Sequence, residues 1–117
     1  MRPILEEVGF INEVVFSEVI FILIKLITGM KAHELKKKPD MVKEAMKKLE
    51  NHVRFMRTYF VELEVNSEIK EWALEVMGEY GLLPNDAIIA ATCRYHALDL
   101  ITFDDDFRRV PWLKVVP

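Results

Sequence analysis

Cysteine is almost missing from this sequence: Cys93 stands alone, which rules out an internal disulfide and a thiolate zinc site. Glycine is scarce too. Four glycines in 117 residues leave no phosphate-cradling loop, so a Rossmann or P-loop reading has nothing to stand on. His33, His52 and His96 have no metal-ligand spacing; the first two read as surface residues and His96 as a helix-end residue. An excess of positive charge is absent: the formal net charge is −3, so nothing global marks a polyanion binder. No run is long enough to span a bilayer. Val14–Ile27 (VVFSEVIFILIKLI) is the most apolar stretch, but it is short and carries Glu18 and Lys25 inside it. It also lacks the basic start and cleavage site of a signal peptide, so it reads as a helix buried on most sides. Repeats, low-complexity tracts and linkers are absent, which predicts a single domain over residues 1–117, and the cysteine usage fits a cytoplasmic location.

What is present is the composition of a globular protein, 51% apolar and 30% charged. A first helix is expected from an Asn12 cap to Thr28, with Gly29 ending it. Met30 to Asp40 reads as a basic loop, with Asp40 a candidate cap for a second helix that runs to about Thr58. Phe60 to Val65 (FVELEV) alternates apolar and acidic residues, as a half-exposed strand does. Asn66 or Ser67 caps a third helix with the stripe Ile69, Trp72, Ala73, Val76, Met77 and Tyr80, stopped by Gly81. Pro84 marks the start of another helix, continuing through DAIIAATCRYHA. Leu100 to Phe103 (LITF) reads as a short buried parallel strand, and Leu113 to Val116 as the last strand. Strands alternating with helices predict an α/β class with a largely parallel sheet.

Most acids lie where a solvated charge is the ordinary reading; a few do not. Glu18 sits amid Val14, Val15, Phe16, Val19, Ile20 and Phe21, which cover every side of its helix. An unpaired buried carboxylate costs several kcal/mol, so either a cation or donors lie near it, or it marks a helix edge, or it pairs with Lys25. Asp86, in a first helical turn, is either a partner for the helix dipole or something more. Asp104, Asp105 and Asp106 follow LITF directly. They make a soluble turn or, since ligands gather beyond the carboxyl ends of parallel strands, neutralise their mutual repulsion on a divalent cation. Hard oxygen donors without histidine or cysteine favour Mg²⁺ or Mn²⁺ over zinc.

The run LLPNDAIIAATCRYHALDLITFDDDFRRVPWLKVV, Leu82 to Val116, resembles the C-terminal half of PIN domains: a helix opening on aspartate and IIAA, a strand ending in T-x-D, then D-F and a hydrophobic strand. Glu18 within FSEVIF is similar to the family's glutamate on an earlier helix. The resemblance is to the VapC-type toxin ribonucleases, and it implies a three-layer α/β fold with a mostly parallel sheet flanked by helices. It further implies an acidic cluster binding one or two Mg²⁺ or Mn²⁺ ions, which activate water for attack on an RNA phosphodiester. By that resemblance Glu18, Asp86 and Asp104 are catalytic metal ligands, Asp106 a ligand or a group behind one, and Thr102 a hydroxyl near the site. An RNA substrate and a cognate antitoxin are implied as partners, and a homodimer or larger assembly is expected because a sheet without its first strand leaves LITF and the strand beside it with unpaired backbone groups.

One departure matters. PIN domains begin with a hydrophobic strand ending in an aspartate, whereas MRPILEEVGFINEVV leads straight toward the helix of Glu18. The expectation is therefore an N-terminally truncated fold without the family's first metal ligand, with activity impaired unless an upstream reading frame or another chain supplies it. The alternatives are a non-catalytic PIN-like module that binds RNA or protein, and a generic α/β interaction domain. Lys36, Lys37, Lys38, Lys43, Lys47 and Lys48 read as a solvated helix face, with RNA contact as the competing reading.

Overall fold

The computed structural model describes residues 9–117 and shows a helix-rich α/β chain with parallel strands. Two compact units divide it, Met1–Leu63 and Glu64–Pro117.

The first unit holds β1 (Gly9–Asn12), α1 (Glu13–Thr28), α2 (Ala32–Leu35), α3 (Pro39–Tyr59) and β2 (Phe60–Leu63). Asn12 caps α1 by accepting the Val15 N–H at 2.9 Å, and Gly29 ends it in the left-handed region at φ 67°. Both ends fall where the local sequence predicts them, because caps are decided by a few neighbouring residues. The burial of α1 does not follow the expectation. None of its residues is fully buried, and Phe21, Ile22, Leu26 and Ile27 are exposed. An all-round apolar helix needs partners on all sides, and within its unit α1 packs chiefly on α3 and β1. The expected basic loop contains the single turn α2, whose Leu35 is buried and helps seat it on α3. α3 starts at Pro39 with Lys38 at the cap position, so Asp40 lies inside the first turn rather than capping it. Its buried face is Ala45, Leu49 and Met56, and the lysines stay outside. Lys43 and Lys47 pair with Asp40 at 3.9 Å and Glu44 at 3.3 Å, ordinary exposed helix pairs.

β1 is a strand the sequence did not announce. It pairs in parallel with β2 from Gly9↔Phe60 to Asn12↔Leu63, leading directly into the Asn12 cap. Met1–Val8, on which part of the expectation of a missing first strand falls, lie outside the described residues.

The second unit holds α4 (Ser67–Tyr80), α5 (Pro84–His96), β3 (Leu100–Ile101), a 3-10 helix (Asp105–Arg109) and β4 (Val115–Val116). Asn66 caps α4 by accepting the Ile69 N–H at 2.8 Å, and Gly81 closes it at φ 72°. Ile69, Ala73 and Val76 are the buried part of the expected stripe, and α4 packs against α5. The middle of α5 is enclosed on every side: Ala87, Ala90 and Ala91 are 0% exposed, with Ile89, Thr92 and Cys93 buried beside them. The Thr92 hydroxyl keeps its hydrogen bond there, donating to the Ile88 carbonyl at 2.7 Å. β3 pairs in parallel with β4, Leu100↔Val115 and Ile101↔Val116. LITF is thus a strand of two residues, and it is not a buried one: Ile101 is 79% and Phe103 90% exposed. The Thr102 N–H still donates to the Val116 carbonyl at 2.8 Å, and beyond it the chain turns on the Thr102 hydroxyl. Among the described residues the parallel strands form two pairs, one in each unit.

Gly78 within α4 and Gly81 at its C-terminal cap respond oppositely to alanine. Neither site has an atom within 4 Å of an added Cβ, so only the backbone decides. Gly81→Ala places a side chain at φ 72° and should cost ~1 kcal/mol. Gly78→Ala, in the helix interior, should stabilise by ~0.5–1 kcal/mol. Urea denaturation of both variants measures the two signs.

Candidate metal centre

Three carboxylates meet in the second unit. Asp86 stands in the first turn of α5, which starts at Pro84 with Leu83 before it. Asp104 and Asp106 come from the turn after β3. That turn is built by short side chains bonding to nearby backbone. The Asp104 N–H donates to the Thr102 hydroxyl at 3.1 Å, and the Asp106 N–H donates to Asp104 Oδ1 at 2.9 Å, which caps the 3-10 helix. Phe107 is buried and anchors that helix, so Asp104 and Asp106 sit on a fixed backbone although their side chains are exposed. One oxygen from each of Asp86, Asp104 and Asp106 lies within 4.8 Å of the others.

The electrostatics are unfavourable for bare carboxylates. Asp86 is half-buried, and its pKa is raised from the ordinary 3.8 first by lost hydration, then by the charges of Asp104 and Asp106. The α5 dipole favours an anion at this position, yet it does not outweigh those effects. Arg109 offsets part of the repulsion: it donates to Asp106 Oδ1 at 3.2 Å and to the Gly81 carbonyl at 3.4 Å. Arg108 pairs with Asp105 at 3.4 Å, so Asp105 faces a different partner from its neighbours.

The donor set fits a hard divalent cation. It is all oxygen, and ligands on opposite sides of an octahedral Mg²⁺ lie about 4.2 Å apart. The spread of the three oxygens, at most 4.8 Å, is close to that, leaving other positions for water or a phosphate oxygen.

The PIN domain family profile matches residues 1–113. The chain belongs to the PIN-domain family. Ribonuclease VapC2 of Methanocaldococcus jannaschii is 40% identical to this PIN chain over 110 residues, 92% of this chain and 71% of that protein. Ribonuclease VapC6 of the same organism is 35% identical over 115 residues, 91% of this chain and 74% of that protein. A solved toxin-antitoxin complex from Klebsiella pneumoniae contains a chain similar in structure, with a TM-score of 0.60 and 25% identity; the match covers 92% of this chain and 72% of that one.

Of the residues singled out in the sequence, the structure brings Asp86, Asp104 and Asp106 together and places Thr102 beneath the turn. Glu18 belongs to the first unit, half-buried at the middle of α1. Arg109 was not foreseen. The signal was in DDDFRR, where two arginines follow two aspartates at helical spacing.

The raised pKa of Asp86 sets the sign of a stability test. The folded chain holds this proton more tightly than the unfolded one, so ionised Asp86 weakens folding above its raised pKa. That penalty vanishes as pH falls below 3.8. In chelator, Asp86→Asn should therefore melt higher than the parent at neutral pH, with the advantage lost in acid. Added Mg²⁺ or Mn²⁺ should raise the melting temperature of the parent and not of the variant. Thermal melts across pH and metal concentration read both effects.

Proposed function

We propose that the chain is a Mg²⁺- or Mn²⁺-dependent endoribonuclease of PIN type, the toxin of a toxin–antitoxin pair, working in the cytoplasm as a single domain. The observation that carries this reading is the approach of three carboxylate oxygens to within 4.8 Å at the start of α5 and the end of β3. Two curated relatives bear the name ribonuclease, and the similar solved chain comes from a toxin-antitoxin complex. Among the described residues, no helix is long and apolar enough to cross a membrane.

In this reading Asp86 and Asp104 are the principal ligands, with Asp106 beside them and Glu18 the proposed further carboxylate. A divalent cation bound there supplies Lewis acidity toward a phosphate oxygen and lowers the pKa of water. The protein's own part is positional. The buried middle of α5 fixes Asp86, Thr102 holds the Asp104 turn, and Arg109 keeps Asp106 from swinging away. Water then adds to phosphorus as the bond to the leaving ribose oxygen breaks.

The competing reading is a PIN module that binds RNA or an antitoxin without cleaving. Cleavage of a mixed-sequence RNA separates the two. Activity should require Mg²⁺ or Mn²⁺, vanish in chelator, and fall in Asp86→Asn and Asp104→Asn by more than the ~100-fold typical of losing an outer partner of a metal ligand. No cleavage at all turns the assignment to the binding module, and cleavage that persists in chelator removes the metal-dependent mechanism.

A homodimer is part of the proposal. Ile22 and Leu26 on α1 are 51% and 74% exposed, a costly apolar face for a lone chain. Light scattering should report a dimer, and Leu26→Asp should shift it toward monomer; a monomeric parent at micromolar concentration removes this part.

A further inference from the structure

Away from the carboxylates, the second unit contains a cavity of about 380 Å³, near the lower end for small-ligand sites. Arg94, Trp112, Asp99 and Lys114 line it, with Cys93 and Leu113 at its apolar side. Its main feature is how Arg94 is held. The guanidinium carbon lies over the Trp72 ring at 4.9 Å and over the Trp112 ring at 5.3 Å, so two indoles hold the cation. Trp72 is backed by Tyr95 at 5.6 Å and Trp112 by Tyr80 at 6.5 Å, which fixes the two indoles. Contact with a ring engages the charge and leaves the fork of N–H donors to other partners. Among the described residues no carboxylate pairs with it, and the side chain is exposed.

An arginine already held against two rings has given up part of the rotamer freedom that an anion would otherwise have to overcome. Lys114 adds a second cation to the cavity, and Asp99, 3.7 Å from it, takes up only one of the two positive charges. Cys93 offers neither charge nor nucleophile: burial, helped by Asp99, pushes its thiol up to about 11. The cavity thus presents a net positive, planar, two-donor site, the geometry that matches a phosphate.

We propose that the Arg94 edge, clamped between Trp72 and Trp112 and assisted by Lys114, is a phosphate-binding subsite for the RNA chain, remote from the cleaved bond. This rests on the ribonuclease reading above. Asp86 and Arg94 lie on the same helix, eight residues apart, or about 12 Å along its axis. A strand cleaved beside Asp86 therefore reaches Arg94 only through nucleotides beyond the scissile phosphate. The subsite adds affinity for longer RNA and contributes nothing to a minimal substrate.

The test has two arms. In chelator, fluorescence anisotropy with a single-stranded RNA oligomer gives affinity against salt. Arg94→Gln should weaken binding about tenfold and flatten the slope of log K against log salt by about 0.7, the loss of one phosphate contact. Arg94→Lys, which keeps the charge but not the fork, should keep most of the slope while losing affinity, and Lys114→Gln, which leaves the indoles untouched, controls for misfolding by flattening the slope as well. In Mg²⁺, Arg94→Gln should raise KM for the oligomer and leave kcat/KM for a dinucleotide unchanged. An unchanged slope in both charge-removing variants overturns the subsite, whatever the cleavage result; the stacked arginine is then a fold element or a seat for a protein carboxylate. An equal loss on dinucleotide and oligomer also overturns it. A flattened slope without any cleavage keeps the subsite and removes the ribonuclease reading instead.

Discussion

The close packing of α5 governs the second unit. Alanines that are 0% exposed at positions 87, 90 and 91 let neighbouring elements approach the helix backbone nearly to contact. A larger side chain at any of them would force the helix outward, because a packed interior has no room to absorb added methylenes. The same helix carries Asp86 at one end and Arg94 at the other, so its placement decides both the acidic cluster and the stacked guanidinium. The chemistry at the ends depends on the smallness of the middle.

Around that fixed helix, charge is arranged at the expense of local comfort. Asp86 loses hydration and gains two anionic neighbours, and only Arg109 among the described residues makes an ion pair within the trio. That pair is half-exposed and contributes little to stability. Its value is directional: it ties Asp106 to the end of α4 through the Gly81 carbonyl. An ordinary solvated turn would spread three consecutive aspartates apart. Here the backbone bonds from Asp104 and Asp106 hold two of them toward Asp86.

Much of this was legible in the sequence wherever the cause is local. Asn12, Gly29, Asn66 and Gly81 marked helix ends because capping is settled within a turn of chain. The T-x-D-x-D spacing after LITF announced the acidic turn for the same reason. What failed was non-local. β1 exists because Phe60–Leu63 pairs with it, and nothing within GFIN requires a strand. The apolarity of α1 suggested burial, but burial depends on what packs against the helix. The Arg94 clamp joins residues of α4, α5 and the segment before β4, a coincidence of three elements that no spacing encodes. LITF was over-read as a buried strand because an apolar run shows hydrophobicity and not the side that is covered.

The pairing of β1 with β2 bears on the order in which the chain folds. Gly9 meets Phe60 only after α1, α2 and α3 have been made and turned, so the ladder closes a loop of nearly the whole first unit. The second unit has no such requirement: α4 and α5 are adjacent in sequence and in space, and β3 pairs with a strand that follows after one short connection. Local contacts form fast and distant ones wait on loop closure. On a ribosome β1 emerges well before its partner and pairs late, while the acidic unit assembles soon after β4 is free.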